Sequence, residues 1–151
     1  RQGVQALTRN TNLLVDTLVG PAGGPGTKTM LYENAAFVAA TTVSGQSLMT
    51  SCHSSSGGSI PRHASGLDSK ICAEVTHSVS GMTRAEVDEI VKQIIPLYVD
   101  ELDKKPIGKP FEEVYDIDNV EPTPEWQGMY DEVRQELVDL GLPLDRIRIP
   151  R

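Results

Sequence analysis

The stretch Gly108–Leu142, GKPFEEVYDIDNVEPTPEWQGMYDEVRQELVDLGL, specifies more of the fold than any other part of the chain. Thr123-Pro124-Glu125 predicts a helix start, because it combines a capping hydroxyl, a proline at the first helical position and an acid near the positive end of the helix dipole. Five apolar residues then share one helical face: Trp126, Tyr130, Val133, Leu137 and Leu140. Gly141, followed by Pro143, ends the segment. The stretch predicts an acidic loop followed by one amphipathic helix.

The composition of the chain bounds its class. A chain of 151 residues is about one ordinary domain, and 38% hydrophobic with 23% charged residues is typical of a globular protein. No apolar run approaches the roughly 20 residues that a membrane span requires. The formal net charge of -7 argues against a nucleic-acid partner, which calls for clustered Lys and Arg. We therefore expect neither a membrane nor a nucleic-acid partner.

Cysteine usage and the first residues indicate the setting of the protein. Cys52 and Cys72 are too few for a disulfide scaffold, and no signal-peptide pattern precedes them, so a reducing cytoplasm is expected. The sequence starts at Arg1 and enters a helical pattern almost at once. That start is typical of a piece of a longer protein.

The N-terminal half predicts two helices separated by a loop. Apolar spacing predicts a helix over Val4–Leu18. Gly20–Gly26, with four glycines and two prolines, then predicts a loop. Thr27 is positioned to cap a second helix that ends at Gly45, and Ser47–Cys52 is short and apolar enough to form one buried strand.

The remainder predicts an irregular loop and further helices. His53–Ser69 is rich in Ser and Gly and predicts a loop, after which a helical face runs to Gly81 through Ile71, Cys72, Val75 and Val79. Thr83 and Glu86 form a capping box for the next helix, which Pro96 should interrupt. We divide the chain into residues 1–81 and a helical appendage, residues 82–151.

These motifs resemble those of the monomethylamine methyltransferases. The family tail has GK-x-F-x-E-x-YD, a short acidic stretch, P-T-x-E, a YD pair and a helix ending in DLGL. Upstream, Gly23–Phe37 and the following Val43-Ser44-Gly45 are similar to the family segment A-G-P-C-T-E-x-C-L-L-E-A-S-A-Q-x-x-x-x-x-A-S-G, in register and without a gap. Val15–Gly20 is similar to T-D-I-L-S-G, whereas Thr83–Tyr98 matches only in residue type.

The resemblance implies a fold and a chemistry. The family fold is α/β, a (β/α)8 TIM barrel, of which this chain would be roughly the C-terminal third: a late barrel segment and a helical appendage, mostly helical with one or two short strands. The implied parent enzyme moves a methyl group from monomethylamine to the cobalt of a separate corrinoid protein. An in-frame pyrrolysine holds the amine. The chain itself would bind no cofactor directly, and the parent would form homo-oligomers.

Three departures from the family pattern limit what this chain can do alone. The pyrrolysine region lies upstream of every residue here, so a fragment is expected to be inactive by itself. Between Gly20 and Pro21 the family carries extra residues, including an active-site glutamine, that have no counterpart. The family cysteines around that loop are Ala22, Gly26 and Met30 here. Either the parent uses a different amine, or it is a divergent member that does not use this site in the usual way.

Two features are candidates for a site facing substrate or cofactor. The Gly-rich loop precedes a helix, where free N–H groups can meet an anion, although the same loop suits an ordinary turn. Its candidate residues are Gly23, Gly24, Gly26 and Thr27, with His53 added from the later loop. Glu33 matches a family acid and is the candidate catalytic residue. It would orient the amine or accept its proton, or it would favour the helix start through the dipole.

Other chemistry-bearing residues have weaker patterns. Cys52, His53 and His63 would suit a zinc ion with one open position, but their spacing fits no strong zinc motif. We therefore assign no metal and keep a small zinc domain as an alternative. Cys72 and His77, at helical spacing, are predicted to pack. An acidic run predicts a solvated surface or the rim of a partner interface: Glu112, Glu113, Asp116, Asp118 and Glu121. The other alternative to an enzyme fragment is a non-catalytic helical interaction module derived from the family.

Overall fold

A computed structural model describes residues 2–52 and 54–146 of the chain. The helices are α1 (Gln2–Asn10), α2 (Lys28–Thr42), α3 (Ser55–Gly58), α4 (Gly66–Val79), α5 (Arg84–Ile94), α6 (Phe111–Val114) and α7 (Pro124–Asp139). The strands are β1 (Asp16–Val19), β2 (Leu48–Cys52), β3 (Tyr115–Asp116) and β4 (Glu121–Pro122). Three short 3₁₀ turns cover Ile95–Leu97, Val99–Lys104 and Leu144–Arg146.

The strands β1 and β2 form a parallel pair connected by α2. Asp16 pairs with Leu48 and Val19 with Cys52, and the register shifts between Thr17 and Leu18. A strand, a helix and a second parallel strand form a βαβ unit, the connection that parallel pairing requires. The loops that follow β1 and β2 therefore leave the same edge of the sheet.

The predicted helix over Val4–Leu18 is wrong in its second half. The helix α1 ends at Asn10, where the Asn10 amide donates to the Ala6 carbonyl and the Thr11 hydroxyl to the Leu7 carbonyl. Such side-chain bonds to the backbone compete with helix continuation. Residues Asp16–Val19 instead pair with β2, about thirty residues further along the chain, and local periodicity carries no information about that pairing.

The second helix, the later helices and the second strand follow the sequence predictions more closely. Thr27 caps α2, the capping box of Thr83 and Glu86 opens α5, and α5 gives way to a 3₁₀ turn at Pro96. The predicted strand is present as β2, but it is not fully buried, because Leu48 is 45% exposed. The predicted loop over His53–Ser69 is partly wrong, because α3 lies within it and α4 begins at Gly66. The capping box of Ser65 and Asp68 explains that earlier start.

One apolar core joins both of the proposed chain segments. Helix α2 packs against α4, α5 and α7, and its buried residues include Met30, Leu31, Ala35 and Val38. Four residues of the predicted α7 stripe are buried, since Trp126, Tyr130, Val133 and Leu137 are each 1% exposed or less. The fifth, Leu140, is half-buried just after the helix ends. The small residues Ala35 and Ala39 of α2 are fully buried, which lets its neighbours approach closely.

No helix among the described residues is long and apolar enough to span a membrane.

Candidate functional site

Two loops meet at the edge of the sheet where β1 and β2 end. The first is the Gly-rich loop, residues 20–27, and the second begins after Cys52. The Ser55 N–H donates to the Gly23 carbonyl at 2.7 Å and joins the two loops directly. Ligand sites of parallel α/β folds lie at the carboxyl ends of the strands. We therefore take this edge as the candidate functional site.

Glu33 anchors the Gly-rich loop from the second turn of α2. Its carboxylate accepts hydrogen bonds from the N–H groups of Ala22 at 3.1 Å and Gly23 at 2.8 Å. Partial burial raises the pKa of Glu33, and these two hydrogen bonds oppose the rise because they favour the charged form. The sequence did not predict these two hydrogen bonds. The Glu33 carboxylate binds the backbone of the preceding loop and not the start of its own helix.

The remaining predicted loop residues are tightly packed. A Cβ on Gly24 would lie 1.9 Å from the Ile107 carbonyl oxygen, and one on Gly23 would lie 2.7 Å from the Met30 nitrogen. Gly26 has a φ of +78°, which favours glycine. The Thr27 hydroxyl donates to the Gly24 carbonyl at 2.6 Å and accepts from the Met30 N–H at 3.4 Å.

Three N–H groups of the loop proposed for an anion are occupied within the chain. Those of Ala22 and Gly23 bind Glu33, and that of Gly24 donates to the Pro106 carbonyl at 2.9 Å. An anion would have to displace these partners to bind there. A substrate-facing role for Gly23, Gly24, Gly26 and Thr27 stays a prediction.

An open pocket lies beside the end of β1. Its volume is about 270 Å³, and its lining residues are Val19, Gly20, Pro21, Glu33, Ala36, Phe37, Val91, Ile95 and Tyr98. Burial raises the pKa of Tyr98, and the nearby Glu33 carboxylate raises it further. The pocket thus presents one carboxylate among mostly apolar side chains and two aromatic rings. That combination suits a small organic cation better than an anion.

A buried polar network supports the loop after β2. The Ser54 hydroxyl donates to Asp68, which also accepts from the Ser65 N–H at 3.1 Å and the Ser65 hydroxyl at 2.5 Å. The indole N–H of Trp126 donates to the Ser65 oxygen at 3.1 Å. Burial raises the pKa of Asp68 despite these donors. Trp126 therefore connects the C-terminal helix to the residues that follow β2.

The sequence and fold of this chain match those of known proteins. The family model described as Monomethylamine methyltransferase MtmB matches residues 2–142. The chain belongs to the monomethylamine methyltransferase family. The fold class predicted from the sequence is confirmed, as a mostly helical α/β segment of this family fold.

Individual relatives agree with this assignment. The chain is 32% identical to Monomethylamine methyltransferase MtmB of Methanosarcina mazei and 31% identical to MtmB2 of Methanosarcina acetivorans, over 132 residues in each case. It superposes on the crystal structure of the Methanosarcina barkeri enzyme with a TM-score of 0.83 and 31% identity, over 89% of this chain. The match covers 87% of this chain but 29% of the curated relatives, so the chain spans less than a third of their length.

The zinc interpretation gains no support from the described residues of this family member. Among the side chains that the structure describes, which do not include that of Cys52, no three of His, Cys, Asp or Glu converge as metal ligands. The His63 ring instead lies 3.0 Å from the Pro61 carbonyl. His53, which was predicted both as a zinc ligand and as a site residue, lies outside the described residues.

Three other sequence predictions can be placed in this family member. Cys72 is buried in the core, as predicted. The packing prediction for His77 is wrong, because this residue is exposed in the last turn of α4, on the side away from Cys72. All five residues of the acidic run are exposed: Glu112, Glu113, Asp116, Asp118 and Glu121.

Sequence reasoning missed the residues that assemble the two loops. The sequence predicts Ser54, Ser55 and Asp68 only as parts of a polar loop, and it does not predict that Pro106–Lys109 contacts the Gly-rich loop. One local signal was available, since Ser65 and Asp68 have the spacing of a capping box. The contacts between the loops and Pro106–Lys109 join residues more than fifty positions apart, and no local pattern announces them.

Proposed function

We propose that this chain is the C-terminal part of an enzyme that transfers a methyl group from monomethylamine to the cobalt of a corrinoid protein. The observation that carries the proposal is the family match over residues 2–142, together with a fold that superposes at a TM-score of 0.83. Because the chain spans 29% of the curated relatives, we assign the complete activity to the longer protein.

The exposed sheet supports a role as a segment of a larger fold. Within the described residues, β1 and β2 pair only with each other, and a two-stranded sheet is marginal alone. Leu18 is 48% and Leu48 45% exposed on this small sheet. Further strands of a (β/α)8 barrel would pair with its open edges and cover these side chains.

In this proposal the chain shapes the mouth of the barrel. The loops after β1 and β2 lie at the edge where barrel enzymes build their active sites. Glu33 holds the first loop, and Asp68 holds Ser54 in the second. Their role is to orient the loop backbone and to exclude water from the reacting groups.

The reacting groups themselves lie outside this chain. In the proposed reaction the cobalt accepts the methyl group while the amine departs as ammonia, and a pyrrolysine in the upstream part of the enzyme holds the amine. We place the corrinoid on a partner protein, as the family resemblance implies. The 270 Å³ pocket beside Glu33 offers a carboxylate and aromatic rings of the kind that attract a methylammonium ion.

The alternative of an interaction module is less well supported. That function would need the apolar face of α7 to be available to a partner. Trp126, Tyr130, Val133 and Leu137 of that face are instead buried in the core of the chain itself. The exposed acidic run is one surface of the tail that a partner could still contact.

A hybrid enzyme tests the proposal. Residues 2–142 replace the corresponding segment of the Methanosarcina barkeri enzyme, and methyl transfer from mono-, di- and trimethylamine to a free corrinoid protein is followed by the absorbance of methylcobalt. We expect turnover with monomethylamine above that with the other two amines. Transfer from dimethylamine or trimethylamine alone would overturn the substrate assignment. A folded hybrid that binds the corrinoid protein without transferring from any amine would overturn the function.

The hybrid needs two controls. The unmodified Methanosarcina barkeri enzyme shows that the corrinoid protein is competent. The 151-residue chain alone is expected to give no methyl transfer, because the proposed amine-holding residue lies upstream.

A further inference from the structure

The segment Pro106–Lys109, here called the strap, crosses the edge of the sheet where the two loops meet. It forms two backbone hydrogen bonds with adjacent residues of the Gly-rich loop. The Gly24 N–H donates to the Pro106 carbonyl at 2.9 Å, and the Lys109 N–H donates to the Pro25 carbonyl at 2.8 Å. The strap therefore pairs with the loop much as an added strand would, although it comes from the C-terminal tail.

Ser55 connects the strap to the second loop. Its hydroxyl donates to the Ile107 carbonyl at 2.8 Å, and its N–H donates to the Gly23 carbonyl at 2.7 Å. Ser55 is fully buried and has a φ of +56°, a conformation that a serine adopts only at a cost. One residue thus contacts the strap and the Gly-rich loop at the same time.

The glycines at the crossing leave no room for side chains. A Cβ on Gly24 would lie 1.9 Å from the Ile107 oxygen, and one on Gly108 would lie 2.3 Å from the Pro25 oxygen. Gly108 also has a φ of +73°. The backbones of the loop and the strap are therefore in direct contact, with no side chain between them. A change in the backbone path of one segment must move the other.

We infer that the strap sets the positions of both strand-end loops and that Ser55 is a positioning residue for methyl transfer. This inference rests on the proposed function for its catalytic consequence. The strap touches neither the pocket beside Glu33 nor the Glu33 carboxylate, whose hydrogen bonds go to Ala22 and Gly23. It therefore acts through the loops and not on the amine, so its loss should lower kcat more than it raises KM.

The first arm of the test measures structure in the 151-residue chain, without any activity. Ser55→Ala and Ser55→Gly both remove the hydroxyl that holds Ile107. Amide hydrogen exchange at Gly24 and Lys109 should become about fivefold to tenfold faster in both variants, because the strap opens more often. Exchange in α7 should stay as in the parent. The matched control is Ser78→Ala, which removes a buried serine hydroxyl bonded to Val75 of the same helix at 2.9 Å.

The second arm measures kinetics in the hybrid enzyme. Both Ser55 variants should lose roughly tenfold or more in kcat with a change in KM below about threefold, since a small displacement of a positioning element is costly. The two variants separate positioning from stability. Glycine tolerates a φ of +56° better than alanine, so Ser55→Gly should have the higher Tm while losing as much kcat as Ser55→Ala.

Each failure has its own signature. A parent hybrid that transfers no methyl group overturns the proposed function but leaves the exchange arm able to support the strap. An active hybrid whose kcat follows Tm, with Ser55→Gly near the parent, would show a merely structural serine and overturn the positioning role. Unchanged exchange at Gly24 and Lys109 in both variants would overturn the strap itself.

Discussion

Two parts of the tail contact α2 and the loop before it in different ways. Along the body of α2, the helix α7 packs with apolar side chains such as Trp126 and Leu137, which are each 1% exposed or less. Near the start of α2, the strap is joined to the Gly-rich loop through peptide groups and the hydroxyl of Ser55. The α7 contact is stabilised by buried apolar area. The strap contact depends on the close approach of two backbones.

This difference separates stability from positioning. Apolar packing contributes a large stabilisation, because a buried side chain makes many weak contacts that add up. Backbone hydrogen bonds at a crossing without side chains fix distances, although each contributes little net free energy. We therefore expect α7 to hold the chain folded and the strap to hold the loops in place.

The largest expected effect tests the apolar packing of α7. Trp126→Ala removes a buried side chain and its hydrogen bond to Ser65, and we expect a loss of about 3–5 kcal/mol in the free energy of unfolding. Urea denaturation followed by circular dichroism measures it. The control Ile117→Ala, at a side chain that is 61% exposed, should change the same quantity by less than about 0.5 kcal/mol. Equal losses of unfolding free energy in both variants would show that the buried face of α7 does not stabilise the core.

A smaller effect is expected at the crossing. Gly24→Ala places a Cβ against the Ile107 oxygen, and we expect a loss of roughly 1–3 kcal/mol together with displacement of the strap. Gly128→Ala is the matched control in α7, where nothing lies within 4 Å of the added carbon. It should stabilise the chain by up to about 1 kcal/mol, because alanine is the better helix former. A Gly24 variant as stable as the parent would show that loop and strap separate freely.

The buried hydrogen-bond network around Asp68 predicts that stability depends on pH. The pKa of Asp68 is raised in the folded chain by burial, so the folded state binds protons more strongly than the unfolded state above the ordinary value of 3.8. The contribution of Asp68 to the stability of the parent should therefore fall as pH rises from that value through the raised pKa. Asp68→Asn does not titrate, and its stability relative to the parent should rise over the same window. The nearby Tyr115 has its pKa raised by burial from 10.0 and does not interfere there.

Unfolding of both proteins in urea at several pH values between about 3 and 7 measures this difference. The hydrogen bonds lost in Asp68→Asn change its free energy of unfolding by an amount that does not depend on pH. A difference that falls with pH would mean that the donors Ser54 and Ser65 outweigh burial.

The smallest effect concerns the exposed edge of the α2–α7 contact. Lys28 lies 2.6 Å from Glu132 and 3.2 Å from Glu136, with 36% of its side chain exposed. Lys28→Ala should cost no more than about 1 kcal/mol, and raising the salt concentration should shrink that cost. A cost that does not change between low salt and 1 M NaCl would show that Lys28 acts through its packed methylenes.

The sequence predicted the features that depend on local patterns and missed those that depend on contacts between distant residues. The start of α7 at Thr123, its buried stripe and the capping box at Thr83 are local patterns, and all three are present in the structure. Strand β1 was assigned to a helix because its partner β2 is distant in sequence. A catalytic role for Glu33 stays a prediction, and its bonds to Ala22 and Gly23 depend on how the loop folds back, which no local pattern shows.

The buried position of Trp126 has a practical consequence for spectroscopy. It is the only tryptophan of the 151 residues, so the indole emission of the protein comes from this one side chain. The ring is 1% exposed, and its N–H is held by Ser65. Emission should be shifted to the blue while the tail is docked and move to the red when it undocks. The protein thus carries an intrinsic fluorescent reporter at the junction between its C-terminal helix and its strand-end loops.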